Sequence, residues 1–281
     1  MESWGEIWAV AAHGDQLLAG NSNEIFAGQD DGTFVSVLSR VDVARLVMVS
    51  PDLCFAIGAN EITALRRTDG QWSEIAPRIP GLGYPSVVMA AKGAAWIELA
   101  ANRVARVALR DGKLEARVLE RFPWEPSWIN LGVVGDTVVL AAPGKGRLYF
   151  DEKTEALVEA PALARRLDAL PHPVARVRED EAGTIWASYE QGLLMVPPLA
   201  DDAPPEPVTF NVTNERYPLI HLLRGGDVWM STGQSLYRVD RRRRPSVEPA
   251  FRPMLVSVVD GRTNRELRGA SLQELTVHLL G

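Results

Sequence analysis

Short apolar runs of four to six residues alternate with polar turns along most of the chain. Gly, Asn, Asp or Pro bounds each run, and the runs are rich in Val, Ile, Trp and Tyr, which favour strands. One group of four runs is VARVRE (174–179), TIWAS (184–188), LLMV (193–196) and PVTF (207–210). The next group is LIHLLR (219–224), DVWMS (227–231), SLYRV (235–239) and PSVEP (245–249). The pattern predicts successive groups of four short antiparallel strands.

These groups recur with a period of about 40 residues, which is typical of a four-stranded propeller blade and too long for a leucine-rich repeat. In each repeat a glycine is followed, three residues later, by a Trp or another large apolar residue, and Asp52 replaces the glycine in the weakest copy. The large apolar positions are Leu17, Phe55, Trp96, Val138, Trp186 and Trp229. We predict an all-β protein, a β-propeller of four-stranded antiparallel blades with six recognisable repeats, or seven blades if the chain ends form one more.

The repeated positions predict how neighbouring blades pack. A blade cannot bury both of its faces alone, so we expect Trp96, Trp186 and Trp229 to pack between adjacent blades. The glycine that precedes each large residue is predicted to supply a hairpin turn with positive φ. The single cysteine, Cys54, lies in the apolar run LCFAI and is predicted to be a buried small hydrophobe, without a disulfide partner in the chain.

Composition narrows the function classes. The chain has 281 residues, 46% of them hydrophobic, and a formal net charge of −6. The negative charge argues against general nucleic-acid binding. We interpret the basic cluster at 241–244 as a solvated turn. No apolar run reaches the roughly 18 residues of a transmembrane helix, so we expect no membrane contact within this chain. The N-terminal MESWGEIWAV lacks the pattern of a signal peptide.

Two repeats resemble those of two-component regulator propellers. HPVARVREDEAGTIWASYEQGLLMV (172–196) and NERYPLIHLLRGGDVWMSTGQSLYRVD (214–240) have a short loop before the innermost strand, a Gly-x-hydrophobic-Trp step and then a second short strand. The four earlier repeats depart from this pattern, and three of them lack the Trp. The segments FRPMLVSVVDGRTNREL (251–267) and SLQELTVHLLG (271–281) are similar to the opening of the Ig-like Y_Y_Y domain that follows such propellers.

The resemblance implies a domain organisation and a role. Residues 1–250 would form the propeller, and residues 251–281 would form either a partial Ig-like segment or a closing blade. Propellers of this family are extracytoplasmic sensing modules of membrane-bound regulators, typically hybrid histidine kinases. We therefore expect a non-enzymatic periplasmic sensor of a two-component receptor, in a fragment of a longer chain.

The sequence carries no recognised catalytic or metal motif. It lacks a nucleophile elbow, a P-loop, an HExxH helix and an EF-hand loop. The four histidines do not pair with each other or with Cys54 at metal-ligand spacing. We expect no catalytic residue, no bound metal and no cofactor. A propeller can still gather carboxylates from several blades around its channel, so two alternatives stay open: a metal-dependent lactonase- or lyase-like enzyme, and a protein-interaction scaffold.

The best candidate for binding is one loop face. The loops that enter the innermost strands share this face with the loops between second and third strands, and loops on a rigid scaffold often carry function. The entry loops contribute Tyr84, Trp124, His172, Arg216 and Tyr217. Aromatic and Arg side chains make binding hot spots, so we expect this cluster to recognise a small carbohydrate-like or anionic ligand, or a second copy of the chain. The alternative is that these residues close the seams between blades.

Overall fold

The structure is a computed structural model in two compact units, Met1–Asp240 and Arg241–Gly281. The residues that it describes are 6–13, 16–100, 102–120, 122–123, 125, 129–142, 146–159, 174, 176–189, 192–198, 204–209, 219–222, 227–231, 236–239, 257–260 and 265–268. Across these ranges the protein is all-β, and no helix among them could span a membrane.

Within the described residues, the first unit consists of six successive blades, and blades 4 and 5 are joined into one eight-stranded sheet. Blade 1 contains β1 (Ala9–His13), β2 (Gln16–Gly20), β3 (Glu24–Gly28) and β4 (Phe34–Ser39). Blade 2 contains β5 (Arg45–Ser50), β6 (Leu53–Ile57), β7 (Glu61–Thr68), β8 (Gln71–Glu74) and β9 (Ile79–Pro80). Blade 3 contains β10 (Pro85–Ala91), β11 (Ala94–Leu99), β12 (Arg103–Arg110) and β13 (Lys113–Leu119). Blade 4 contains β14 (Asn130–Val134), β15 (Thr137–Ala142), β16 (Gly146–Asp151) and β17 (Ala156–Val158). Blade 5 contains β18 (Arg176–Glu179), β19 (Ile185–Tyr189), β20 (Gly192–Val196) and β21 (Glu206–Thr209). Blade 6 contains β22 (Leu219–Leu222), β23 (Val228–Ser231) and β24 (Leu236–Val239).

Each blade is an antiparallel meander in chain order, and the short β9 adds a fifth strand to blade 2 by pairing with β7. The first strands of successive blades contact one another, which identifies them as the innermost strands. Between blades 4 and 5 this contact becomes a parallel pair, β14 with β18, at Val133 and Arg178. The six blades confirm the predicted β-propeller. The fourth strand predicted for blade 6 (245–249) lies outside the described residues.

The predicted strands of the last two repeats agree with the structure to within two residues at each described end. All six large apolar positions of the repeat fall in the second strand of their blade. The N-terminal run EIWAV (6–10) supplies Ala9 and Val10 to β1 of blade 1. Gly93, Gly135 and Gly183 have φ of +68°, +56° and +79°, as the turn prediction requires.

The core consists of five apolar clusters, each between two successive blades. Trp96 is fully buried between blades 3 and 4, where its ring meets Phe150 edge-on at 4.7 Å between centroids. Trp186 is fully buried between blades 5 and 6. Trp229 is partly exposed, and its contact with a further blade stays a prediction. Cys54 is fully buried as predicted, and burial raises the pKa of its thiol to about 12.

The alignment of two repeats, those of blades 1 and 4, is wrong by one residue. In blade 4 Val138 packs toward blade 3, whereas Val139 packs toward blade 5 and so takes the place that Trp96 and Trp186 have in their blades. In blade 1 it is Leu18, not Leu17, that belongs to the cluster shared with blade 2. Successive side chains of a strand point to opposite faces, so a shift of one residue reverses the packing direction.

The second unit contains a described hairpin of β25 (Ser257–Asp260) and β26 (Arg265–Arg268), which pair antiparallel. The rest of residues 251–281 lies outside the described residues. Both interpretations of this segment, a partial Ig-like segment and a closing blade, stay predictions.

Candidate functional site

Polar and aromatic side chains of several blades meet at one end of the propeller, where the innermost strands begin and the second strands end. We call this end the entry face. Its described members come from blades 1, 2, 3 and 5, and they are Trp8, Arg45, Tyr84, Ser86, Glu98 and Arg176.

Tyr84 is the one residue of the predicted cluster that the structure describes. It directly precedes β10, and 58% of its surface is exposed. The Arg45 guanidinium of blade 2 lies over its ring, 5.7 Å from the centroid, and donates from Nη1 to Ala44 O at 2.8 Å and from Nη2 to Ser86 O at 3.4 Å. These bonds hold a cation beside an exposed aromatic ring. The other predicted site residues, Trp124, His172, Arg216 and Tyr217, lie outside the described residues, so their convergence stays a prediction.

Trp8 is a second exposed aromatic of the entry face that the sequence analysis missed. It directly precedes β1, as Tyr84 precedes β10, and 51% of its surface is exposed. Its backbone N donates to Gly20 O, at the end of β2, at 2.9 Å. Its position in the sequence could have predicted this, because Trp8 comes just before the first strand of the first repeat, as Tyr84 does in the third.

An ion pair between Glu98 and Arg176 ties three blades together. Arg176 Nη1 donates to Glu98 Oε2 at 3.0 Å and Nη2 donates to Oε1 at 3.4 Å, in a two-pronged geometry. Glu98 also accepts from Leu131 N of blade 4 at 3.3 Å and from Ser86 Oγ at 3.2 Å. Both charged side chains are mostly buried, with 14% and 13% exposed. A buried pair of this kind contributes little net stability, but it fixes the positions of the groups that it joins.

The innermost strands carry mostly positive charge. In the described sequences of these six strands the charged residues, apart from histidine, are Arg45, Arg176, Arg178 and Glu179. Glu179 is the last residue of β18 and lies at the opposite end of the propeller. Its carboxylate is next to Gly135 in the β14–β15 turn, where an added Cβ would be 3.4 Å from Glu179 Oε2. The wall near the entry face is therefore cationic in a chain whose net charge is −6.

The structure has a polar groove elsewhere. It lies between blades 1 and 2, has a volume of about 690 Å³ and is lined by residues such as Gln29, Asp31, Arg67 and Trp72. The β3–β4 and β7–β8 turns border it, so it opens at the end opposite the entry face. Across the described part of the chain, no three His, Cys, Asp or Glu side chains gather as metal ligands would.

Comparison with solved structures shows the fold. The Neurospora crassa Pan2 WD40 domain aligns over 80% of this chain and 71% of its own, with a TM-score of 0.52 and 12% identity. The WD40 β-propeller domain of Doa1 aligns over 87% of this chain and 82% of its own, with a TM-score of 0.56 and 11% identity. A gluconolactonase candidate aligns over 79% of this chain and 83% of its own, with a TM-score of 0.46 and 16% identity. No family model and no curated protein sequence matches the chain.

Proposed function

We propose that this propeller is a non-enzymatic binding module whose entry face recognises a small carbohydrate-like or anionic ligand. The observation that carries the proposal is the exposed ring of Tyr84 with the Arg45 guanidinium held beside it. The apolar face of a sugar ring can pack on an exposed aromatic plane, and a guanidinium donates to hydroxyl or carboxylate oxygens. Trp8 offers a second exposed aromatic plane at the equivalent position of blade 1.

We propose further that the module belongs to the extracytoplasmic, periplasmic part of a two-component receptor. The support is the resemblance of residues 172–196 and 214–240 to repeats of that family, together with the Y_Y_Y-like segment at 251–281. In such a receptor, a ligand bound at the entry face would be the signal that the propeller passes to the rest of the chain.

The test is a thermal-shift screen of the protein against neutral oligosaccharides, uronic acids and small carboxylic acids. We expect at least one class to raise the melting temperature, because a ligand that binds only the folded state stabilises it. Tyr84→Ala should abolish that rise and leave the melting temperature of the free protein nearly unchanged, since Tyr84 is exposed. Val35→Ala is the matched control, because Val35 is 47% exposed on β4, away from the entry face.

The alternatives predict different results. A rise produced by Ca²⁺ or another divalent cation would favour the metal-dependent enzyme. Loss of the free protein's stability in Tyr84→Ala would mean that Tyr84 closes a seam between blades. If no compound raises the melting temperature and the protein instead self-associates in a concentration-dependent way, the scaffold is favoured.

A further inference from the structure

Arg178 faces the inside of the propeller without a carboxylate partner in the described part of the chain. It lies on the innermost strand β18, two residues from Arg176 and therefore on the same face of that strand. Val177, between them, points the other way and packs in the cluster that blades 4 and 5 share. The two arginines thus face the channel and blade 6.

The two arginines differ in how their charges are balanced. Arg176 is paired with Glu98, as described above. Burial lowers the pKa of the Arg178 guanidinium to about 10, and the charge of Arg176 acts in the same direction. An unpaired cation that is partly withdrawn from water is costly unless a counter-charge reaches it. A bound anion would supply that counter-charge.

A further polar side chain lies on the neighbouring blade. His221 is on β22, the innermost strand of blade 6, which contacts β18. Burial and the charge of Arg178 both lower the pKa of His221, so the imidazole lies within the field of that guanidinium. The His221 Nε2 is 2.8 Å from Ser231 Oγ.

We propose that the channel wall formed by β18 and β22 is a binding site for a small oxyanion, a carboxylate or a phosphate, with the Arg178 guanidinium as its principal contact. The planar fork of an arginine matches both kinds of anion. The His221 imidazole is the further polar group of blade 6 that lies within the field of that guanidinium. The site is distinct from the ligand surface around Tyr84 and does not depend on it.

Thermal shift and calorimetric titration with inorganic phosphate and with succinate test this proposal, with NaCl at matched ionic strength as the reference. We expect at least one of the two anions to raise the melting temperature beyond the NaCl reference, and the tighter of them identifies the class of ligand. Arg178→Gln should raise the dissociation constant by about tenfold or more, the loss expected when a charge-assisted pair is removed. Arg178→Lys should retain part of the affinity.

Two controls separate this site from its surroundings. Arg66→Gln removes one positive charge from β7, where Arg66 is only loosely paired with Asp52 at 3.9 Å, and should leave anion binding unchanged. Tyr84→Ala should also leave it unchanged. Without anion, Arg178→Gln should melt at the same temperature as the parent protein or higher, because it removes an uncompensated cation.

Three results would overturn the proposal. The first is a parent protein that responds to phosphate and succinate no more than to NaCl. The second is an Arg178→Gln variant that keeps the anion response. The third is an Arg178→Gln variant that is insoluble or melts at a lower temperature without anion, since Arg178 would then have a structural partner.

Discussion

Trp186 links two blades through one side chain. Its ring is fully buried and packs in the same cluster as Ile220 and Met230 of blade 6. Its Nε1 donates to Asp180 Oδ2 at 2.8 Å, and the same carboxylate accepts from the backbone N of Ala182 at 2.9 Å. The side chain therefore fills the space between blades and ties the turn before its own strand to that core.

We expect Trp186→Ala to reduce the free energy of unfolding by about 3–5 kcal/mol, the usual range for emptying a large core site. Trp186→Phe should lose less, because it keeps much of the apolar volume although it gives up the Nε1 bond to Asp180. Urea denaturation of the three proteins measures both losses. A loss below about 1 kcal/mol in the alanine variant would contradict the role between blades.

At the residue scale, the burial of side chains at repeated positions could be predicted from the sequence, whereas contacts between residues of different blades could not. The burial of Trp96 and Trp186 followed from their place in the repeat. Tyr84 could be assigned to the entry face because it precedes a predicted innermost strand. The ion pair of Glu98 with Arg176 could not be predicted, because its partners are 78 residues apart and lie on strands of different blades.

At the scale of elements, the closest approach of two blades depends on a glycine. Gly132 lies in β14, where it faces β18 of the next blade. A Cβ at this position would be 2.5 Å from Val177 Cγ2 and 2.6 Å from Val177 O. The absence of a side chain allows the innermost strands of blades 4 and 5 to pair in parallel.

Gly132→Ala should therefore destabilise the protein by about 1–3 kcal/mol, the typical cost of overpacking. Gly28→Ala is the matched control, because a Cβ on that strand glycine meets no atom closer than 3.4 Å. Chemical denaturation compares the two variants. Equal stabilities would show that the β14–β18 contact does not need the glycine.

Strand positions were predictable because turn residues bound the short apolar runs, but the face to which each side chain points was not predictable in blades 1 and 4. Blades 1 and 4 lack the Trp that marks the inter-blade position, so counting from the glycine selected Leu17 and Val138 where Leu18 and Val139 take that place. In strands a one-residue error exchanges the two faces, so the position of a strand is easier to predict than its orientation.

At the scale of the whole molecule, a propeller follows from repetition of one local pattern, since each blade needs a neighbour to bury its second face. This explains how the fold is recognisable in structures that share only 11–12% identity with the chain. The site is less predictable than the fold, because it combines side chains of several blades whose relative positions the repeat does not specify.

Removal of residues 251–281 tests the domain organisation. The contacts divide the chain between Asp240 and Arg241, and the interpretation of the tail as a partial second domain predicts a nearly unchanged melting temperature for a chain of residues 1–250. The variant keeps the predicted fourth strand of blade 6 (245–249). A large drop in melting temperature, or insoluble protein, would mean that the tail is a closing blade.

The most direct test of the central claim, that the entry face is the ligand surface, is hydrogen exchange with and without the best ligand of the thermal-shift screen. We expect slower amide exchange where the innermost strands begin, around Trp8, Arg45 and Ser86, and no change at the turns of the opposite end, around Gly93 and Gly183. Slower exchange at the opposite turns or around the groove at Gln29, with none at the entry face, would contradict it.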